Sequence, residues 1–246
     1  MIRKLGAIGA TIALSVAFAT VHAESRFADD AAALRRIAWD TLPPKNPAAA
    51  LEARFAPVHD AYVAADEPKL SDEDVRDYYD AASTVASYAH DRRSIETMRS
   101  ALDALTRRGI DSDAQRQNVL DLYIVARLVP EAIAFAREPA NARLVPLPRF
   151  AADDGTAHPP TLWHLSADGT TVERDAFTLG DGPRVLVVSS PWCHFTEDAT
   201  VAIAADPELA SLMKRHSMWL MPQQPIHDFA KIAQWNREYP GWPMQI

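Results

Sequence analysis

The chain's only cysteine, Cys193, lies in the run Ser189-Ser190-Pro191-Trp192-Cys193-His194-Phe195-Thr196. The apolar run Val185–Val188 precedes it, and the helix-compatible segment Thr200–Ala205 follows. A cysteine at such a junction sits at a helix N-terminus, where unpaired N–H groups and the positive end of the dipole favour thiolate. Positions of this kind can lower a thiol pKa from about 8.5 to about 3.5–7.5. Cys193 is therefore a candidate nucleophile at neutral pH. Protonated His194 beside it would stabilise the thiolate further by charge; the alternative is an exposed histidine with no partner. A metal site built from Cys193, His194 and either His216 or His227 lacks the usual ligand spacing. No Gly-x-Ser-x-Gly elbow occurs. Neither a metal nor a cofactor is expected.

The surrounding pattern predicts the elements that must position this thiol. Val185–Val188 is continuously apolar, as in a strand buried on both faces. Upstream, Thr161–Ser166 and Thr170–Asp175 flank Ala167-Asp168-Gly169, a hairpin signal because glycine accepts positive φ. Downstream, Ser217–Met221 reads as a strand and Ile226–Tyr239 as a helix. From Glu24 to about Arg143 the period is helical instead. Ser71 with Asp74 makes a capping box ahead of the stripe Val75, Tyr78, Ala82, Val85, Ala89. A second stripe, Ile95, Met98, Leu102, Leu105, ends at Arg107, Arg108 and Gly109. Ser112 with Gln115 opens a third helix, and Pro130 starts a short fourth ending near Glu138-Pro139. No period of about 34 residues appears, so a plain bundle is expected rather than a repeat array. Asp72-Glu73-Asp74 complements a helix dipole, and His59 and His90 read as packing or surface residues.

Pro160 through Thr196, with its Asp168-Gly169 hairpin, its apolar strand and Trp192-Cys193 followed by Thr196, resembles the exported thioredoxin-like thiol:disulfide oxidoreductases and their peroxiredoxin relatives. In that family the motif is Trp-Cys-x-x-Cys and its first cysteine attacks a substrate disulfide. The resemblance places Cys193 in that role, with Trp192 before it and His194 and Phe195 at the positions that tune redox poise. Thr196 stands where the resolving cysteine would be, so an intramolecular release of the mixed disulfide has no second sulfur. A monothiol remains, resolved by an external thiol, with the Thr196 hydroxyl able to donate to the thiolate. Val187 occupies a place where many family members carry a buried acid. A peroxidase is disfavoured, because the Thr and Pro those relatives carry ahead of the cysteine are missing. Pro243 is a candidate for the family's cis-proline facing the cysteine; Pro240 is a poorer one, and an ordinary turn is the alternative for both.

The resemblance implies an α/β chain: a helical domain over 24–143, then a thioredoxin-like domain over 144–246 that stops before its closing strands. An unfinished sheet exposes an edge, to be covered by further chain or by a partner. Trp235 and Trp242 are expected in the core. Residues 1–23 read as a cleaved signal peptide, with Arg3 and Lys4 ahead of the uncharged Leu5–Val21 and the small-residue site Val21-His22-Ala23. That stretch is shorter than the roughly 20 apolar residues of a membrane span, so no stable insertion is expected after cleavage. Removal of the leader takes the net charge from −8 to −10. Such an acidic chain is a poor match for nucleic acid or an anionic membrane. Two functions follow: an exported, periplasmic thiol-exchange protein acting on protein or small-molecule thiols and disulfides, or a nonenzymatic interaction module on a degenerate thioredoxin fold.

Overall fold

A computed structural model describes residues 25–39, 45–151, 160–179, 181–222 and 228–246; the leader 1–23 and His227 lie outside them. Six helices come first: α1 (Ala28–Trp39), α2 (Pro47–Ala64), α3 (Asp72–Ala89), α4 (Arg92–Arg108), α5 (Asp113–Val125) and α6 (Val129–Ala136). Their ends follow local chemistry. Ser71 and Asp74 exchange both bonds of a capping box on α3, and Ser112 and Gln115 do so on α5. The buried Asp74 carboxylate also accepts from Arg26 N–H at 2.9 Å, tying the chain ahead of α1 to α3. Gly109, at φ +68°, closes α4, where no side chain obstructs the left-handed turn. The expected stripe Ile95, Met98, Leu102, Leu105 is buried against the neighbouring helices.

The second half alternates strands and helices: β1 (Arg149–Phe150), β2 (Thr161–Leu165), β3 (Thr171–Ala176), β4 (Val185–Val188), α7 (His194–Ala205), α8 (Pro207–His216), β5 (Ser217–Leu220), α9 (Phe229–Glu238) and β6 (Met244–Gln245). β2 and β3 form the expected antiparallel hairpin. At its turn Asp168 accepts from Ser166 Oγ, Thr170 N–H and Thr170 Oγ1, which holds its carboxyl down at about 2. β1, directly after the proline-containing Leu144–Pro148, adds to β3 in parallel. β4, β5 and β6 run parallel in that order. Trp163 of β2 and Ile246 exchange both backbone bonds, at 2.8 and 3.0 Å, so the two three-stranded groups meet side by side. The strands thus run β1-β3-β2-β6-β5-β4.

One hydrophobic cluster extends from Phe27 to Ile246 and includes Trp235 and Trp242, both buried as expected. Arg127 lies over the Trp163 ring at 3.7 Å, a cation–π contact between the helical half and the sheet. β4 departs from the sequence reading. Val185, Leu186 and Val188 are 47%, 46% and 65% exposed rather than buried on both faces. The reason is position: among the described residues β4 has β5 on one side and no strand on the other. α8 is unforeseen, although Asp206 caps it by accepting from Glu208 and Leu209 N–H, and Pro207 opens it.

Candidate functional site around Cys193

The site is made where β4 hands over to α7. Ser189 N–H donates to Leu220 O at 2.9 Å, carrying the β4–β5 ladder one residue past the strand. The chain then turns through Ser190-Pro191-Trp192, with Cys193 N–H donating to Ser190 O at 3.0 Å and Trp192 N–H to Ser190 Oγ at 3.3 Å. Cys193 is the N-cap of α7, in extended backbone at φ −85°, ψ 112°. Its carbonyl accepts from Thr196 and Glu197 N–H at 2.9 and 3.2 Å, which starts the helix. This is the junction expected from the sequence.

The sulfur is half-buried and unpaired with any other. Its pKa is lowered from the ordinary thiol value, first by the Thr196 hydroxyl, then by Thr196 N–H; burial opposes them, and Phe195 N–H adds the smallest part. The thiol makes no formed cap bond, so these groups act as open donors that favour the charged form. Thr196 is buried and its Oγ1 meets Ser189 Oγ in a short contact. A hydroxyl carries one proton, so Thr196 Oγ1 can turn its proton toward the sulfur only when Ser189 donates to Thr196. Thr200, fully buried, donates to Thr196 O at 2.7 Å and fixes the first turn from below.

The other expected residues are less close. His194 lies against Phe195, ring centroids 3.9 Å apart, and both are exposed. Trp192 is 44% exposed beside the thiol. Pro243 is not brought to Cys193. It enters β6, which adds to the far side of β5, roughly 10 Å across the sheet from β4. His216 ends α8, and among the described residues no group of three His, Cys, Asp or Glu could hold a metal ion. Ser189 is the contributor that the sequence reading assigned no role; its signal was only a hydroxyl at the end of an apolar strand.

Clefts of about 390, 590 and 480 Å³ lie elsewhere: along α2–α4, beneath Leu144–Phe150, and between α8 and Tyr239–Trp242. Among the described residues no helix is long and apolar enough to cross a membrane. No family model, no curated protein and no solved structure matches the chain. Fold and site define a mainly helical α/β protein with one half-exposed thiol at a helix N-terminus.

Proposed function

We propose that this is an exported, thioredoxin-like protein that works by thiol–disulfide exchange through Cys193 alone. The supporting observation is the place of Cys193 as the N-cap of α7, beside the Thr196 hydroxyl that leads the lowering of its pKa. In the first step the Cys193 thiolate attacks one sulfur of a partner disulfide. The S–S bond breaks, a Cys193–partner disulfide forms, and the second partner sulfur leaves as thiolate and takes a proton from water. In the second step an external thiol, of the glutathione class, attacks the partner sulfur. It forms a new disulfide with the partner and returns Cys193 as thiolate. Two electrons move between the external pair and none are stored in this chain. Thr196 keeps the attacking sulfur charged but cannot displace the partner, so the mixed disulfide persists until the external thiol arrives.

The test is the rate of Cys193 alkylation against pH, with glutathione disulfide as second reagent. A midpoint below the ordinary thiol value and formation of a Cys193–glutathione adduct support the proposal. An ordinary midpoint with no adduct leaves a nonenzymatic binding module. Full exchange activity in Cys193→Ser would overturn the thiol reading outright.

A further inference from the structure

The cleft of about 590 Å³ beneath Leu144–Phe150 stands at the edge of the sheet opposite Cys193, since β1 and β4 end the order of strands. Its volume is that of a small-molecule site, and it lies where the helical half meets the sheet, a common place for one. Ile133 of α6, the buried Leu144, Leu147 and Phe150 of β1 supply apolar walls. Phe150 meets the Trp163 ring edge-on at 5.2 Å and that of Phe229 at 6.3 Å, so this wall is held in place from behind.

Every lining residue falls within Ile133–Phe150, a stretch whose charged residues are Arg137, Glu138, Arg143 and Arg149. Glu138 is taken, both its oxygens accepting from Arg99 Nη2 at 3.0 Å, and Arg143 stands 3.9 Å from Asp113. Of the four only Arg137 and Arg149 line the cleft. Neither pairs with a carboxylate among the described residues, and Arg149 makes one long bond, to Thr171 Oγ1 at 3.3 Å. The carbonyl end of α6 draws on Arg137 in part, but β1 offers Arg149 nothing of the kind. In a chain of net charge −8, a cleft with two guanidinium groups and no free carboxylate favours an anion.

Asn141 adds an independent requirement. It is 3% exposed and lines the same cleft. Its Nδ2 donates to Phe135 O at 2.8 Å and to Glu138 Oε2 at 3.3 Å, which fixes the way the amide points. Oδ1 takes no bond among the described residues and is not sealed from solvent, so it is the acceptor that this side chain offers the cleft. An open acceptor on a nearly buried side chain calls for a donor. That donor is uncharged, because the two arginines repel an ammonium group. We infer that the cleft binds a small organic carboxylate with an apolar body and a neutral N–H or O–H beside the carboxylate. The anion meets Arg137 and Arg149, the donor meets Asn141 Oδ1, and the body lies against Ile133, Leu144, Leu147 and Phe150. The site is separate from the thiol and stands whether or not Cys193 reacts.

N-acetyl-leucine is the probe, titrated into the full chain and followed by saturation-transfer NMR. Binding should saturate within about 10 mM, the range of a ligand this small. N-acetyl-leucinamide, which has no charge, should bind about tenfold more weakly. Isocaproate, which keeps the carboxylate and the apolar body but has no N–H, should bind about threefold more weakly. Arg137→Gln and Arg149→Gln, both at exposed positions, should each weaken N-acetyl-leucine about fivefold and leave the leucinamide unchanged. Cys193→Ser should bind the probe as the parent does. Absence of saturation over that range, equal binding of the acid and its amide, or binding indifferent to both arginine variants would overturn the inference. Isocaproate binding as tightly as N-acetyl-leucine would overturn the assignment of Asn141 and the donor with it.

Discussion

On the proposed reading, Thr196 favours the Cys193 thiolate and, carrying no sulfur, leaves release of the partner to an external thiol. Removing its hydroxyl in Thr196→Val deletes the leading cause of the lowered pKa, so the thiol pKa rises and less thiolate is present at neutral pH. Alkylation at pH 7 should slow several-fold, while Thr196→Ser, which keeps a donor, should stay near the parent rate. Thr196→Cys should supply the missing sulfur: the mixed disulfide then resolves without added thiol, and an internal disulfide appears by mass spectrometry. Cys193 and Thr196 were legible in the sequence because their relation is set within one helical turn. Ser189 was not, because its meeting with Thr196 depends on how sharply the chain turns through Pro191 and Trp192. Pro243 was misjudged for a longer-range reason: its place relative to Cys193 depends on which side of β5 the last strand adds, and local chemistry says nothing about that.

Helix ends were read almost residue by residue, since a cap is a contact between neighbours in the chain. Ser71, Asp74, Ser112, Gln115 and Gly109 all act as their types demand. Asp74→Ala should remove the two bonds its carboxylate accepts, from Ser71 N–H and Arg26 N–H, with a cost of about 1–3 kcal/mol measured by urea unfolding. Gly169 carries a constraint that its turn alone did not reveal: at φ +76° an added Cβ would also lie 2.8 Å from Ala233 Cβ on α9. Gly169→Ala should therefore destabilise by about 1–3 kcal/mol, through backbone strain and a clash together. Asp121 in α5 shows a pH effect. Burial pushes its carboxyl up to about 7, against a bond donated by Gln117 at 2.8 Å. Below about pH 4 the group is protonated in folded and unfolded chains alike and costs nothing; as pH rises toward about 7 only the unfolded chain sheds the proton freely, and stability falls. Asp121→Asn should raise the melting temperature at pH 8 and leave it unchanged at pH 3, with a gain of at most about 4 kcal/mol. α8 escaped notice although its Asp206-Pro207 start and the helical spacing of Leu209, Leu212 and Met213 are local signals.

Across the whole molecule the first half is closely packed and the last hundred residues are not uniformly so. The apolar content of Val185–Val188 was correctly read as strand, but composition cannot tell a central strand from an edge, and the structure puts it at the edge. The difference has a measurable consequence. Val188→Thr should change unfolding free energy by less than about 0.5 kcal/mol, as for other surface changes, whereas Trp235→Ala in the core should cost about 3–5 kcal/mol. In the middle of the order of strands, Trp163 and Ile246 are the stitch between hairpin and parallel strands, and they come from distant parts of the chain. Until the ribosome has delivered Met244–Ile246, the hairpin and the thiol-bearing strands lack the strand that joins them into one sheet, although α9 already packs on both. The helices, built from near neighbours, can assemble long before. Cys193 therefore precedes in the chain the residues that complete its sheet, and its turn gains full support only once β6 has paired with both β5 and β2.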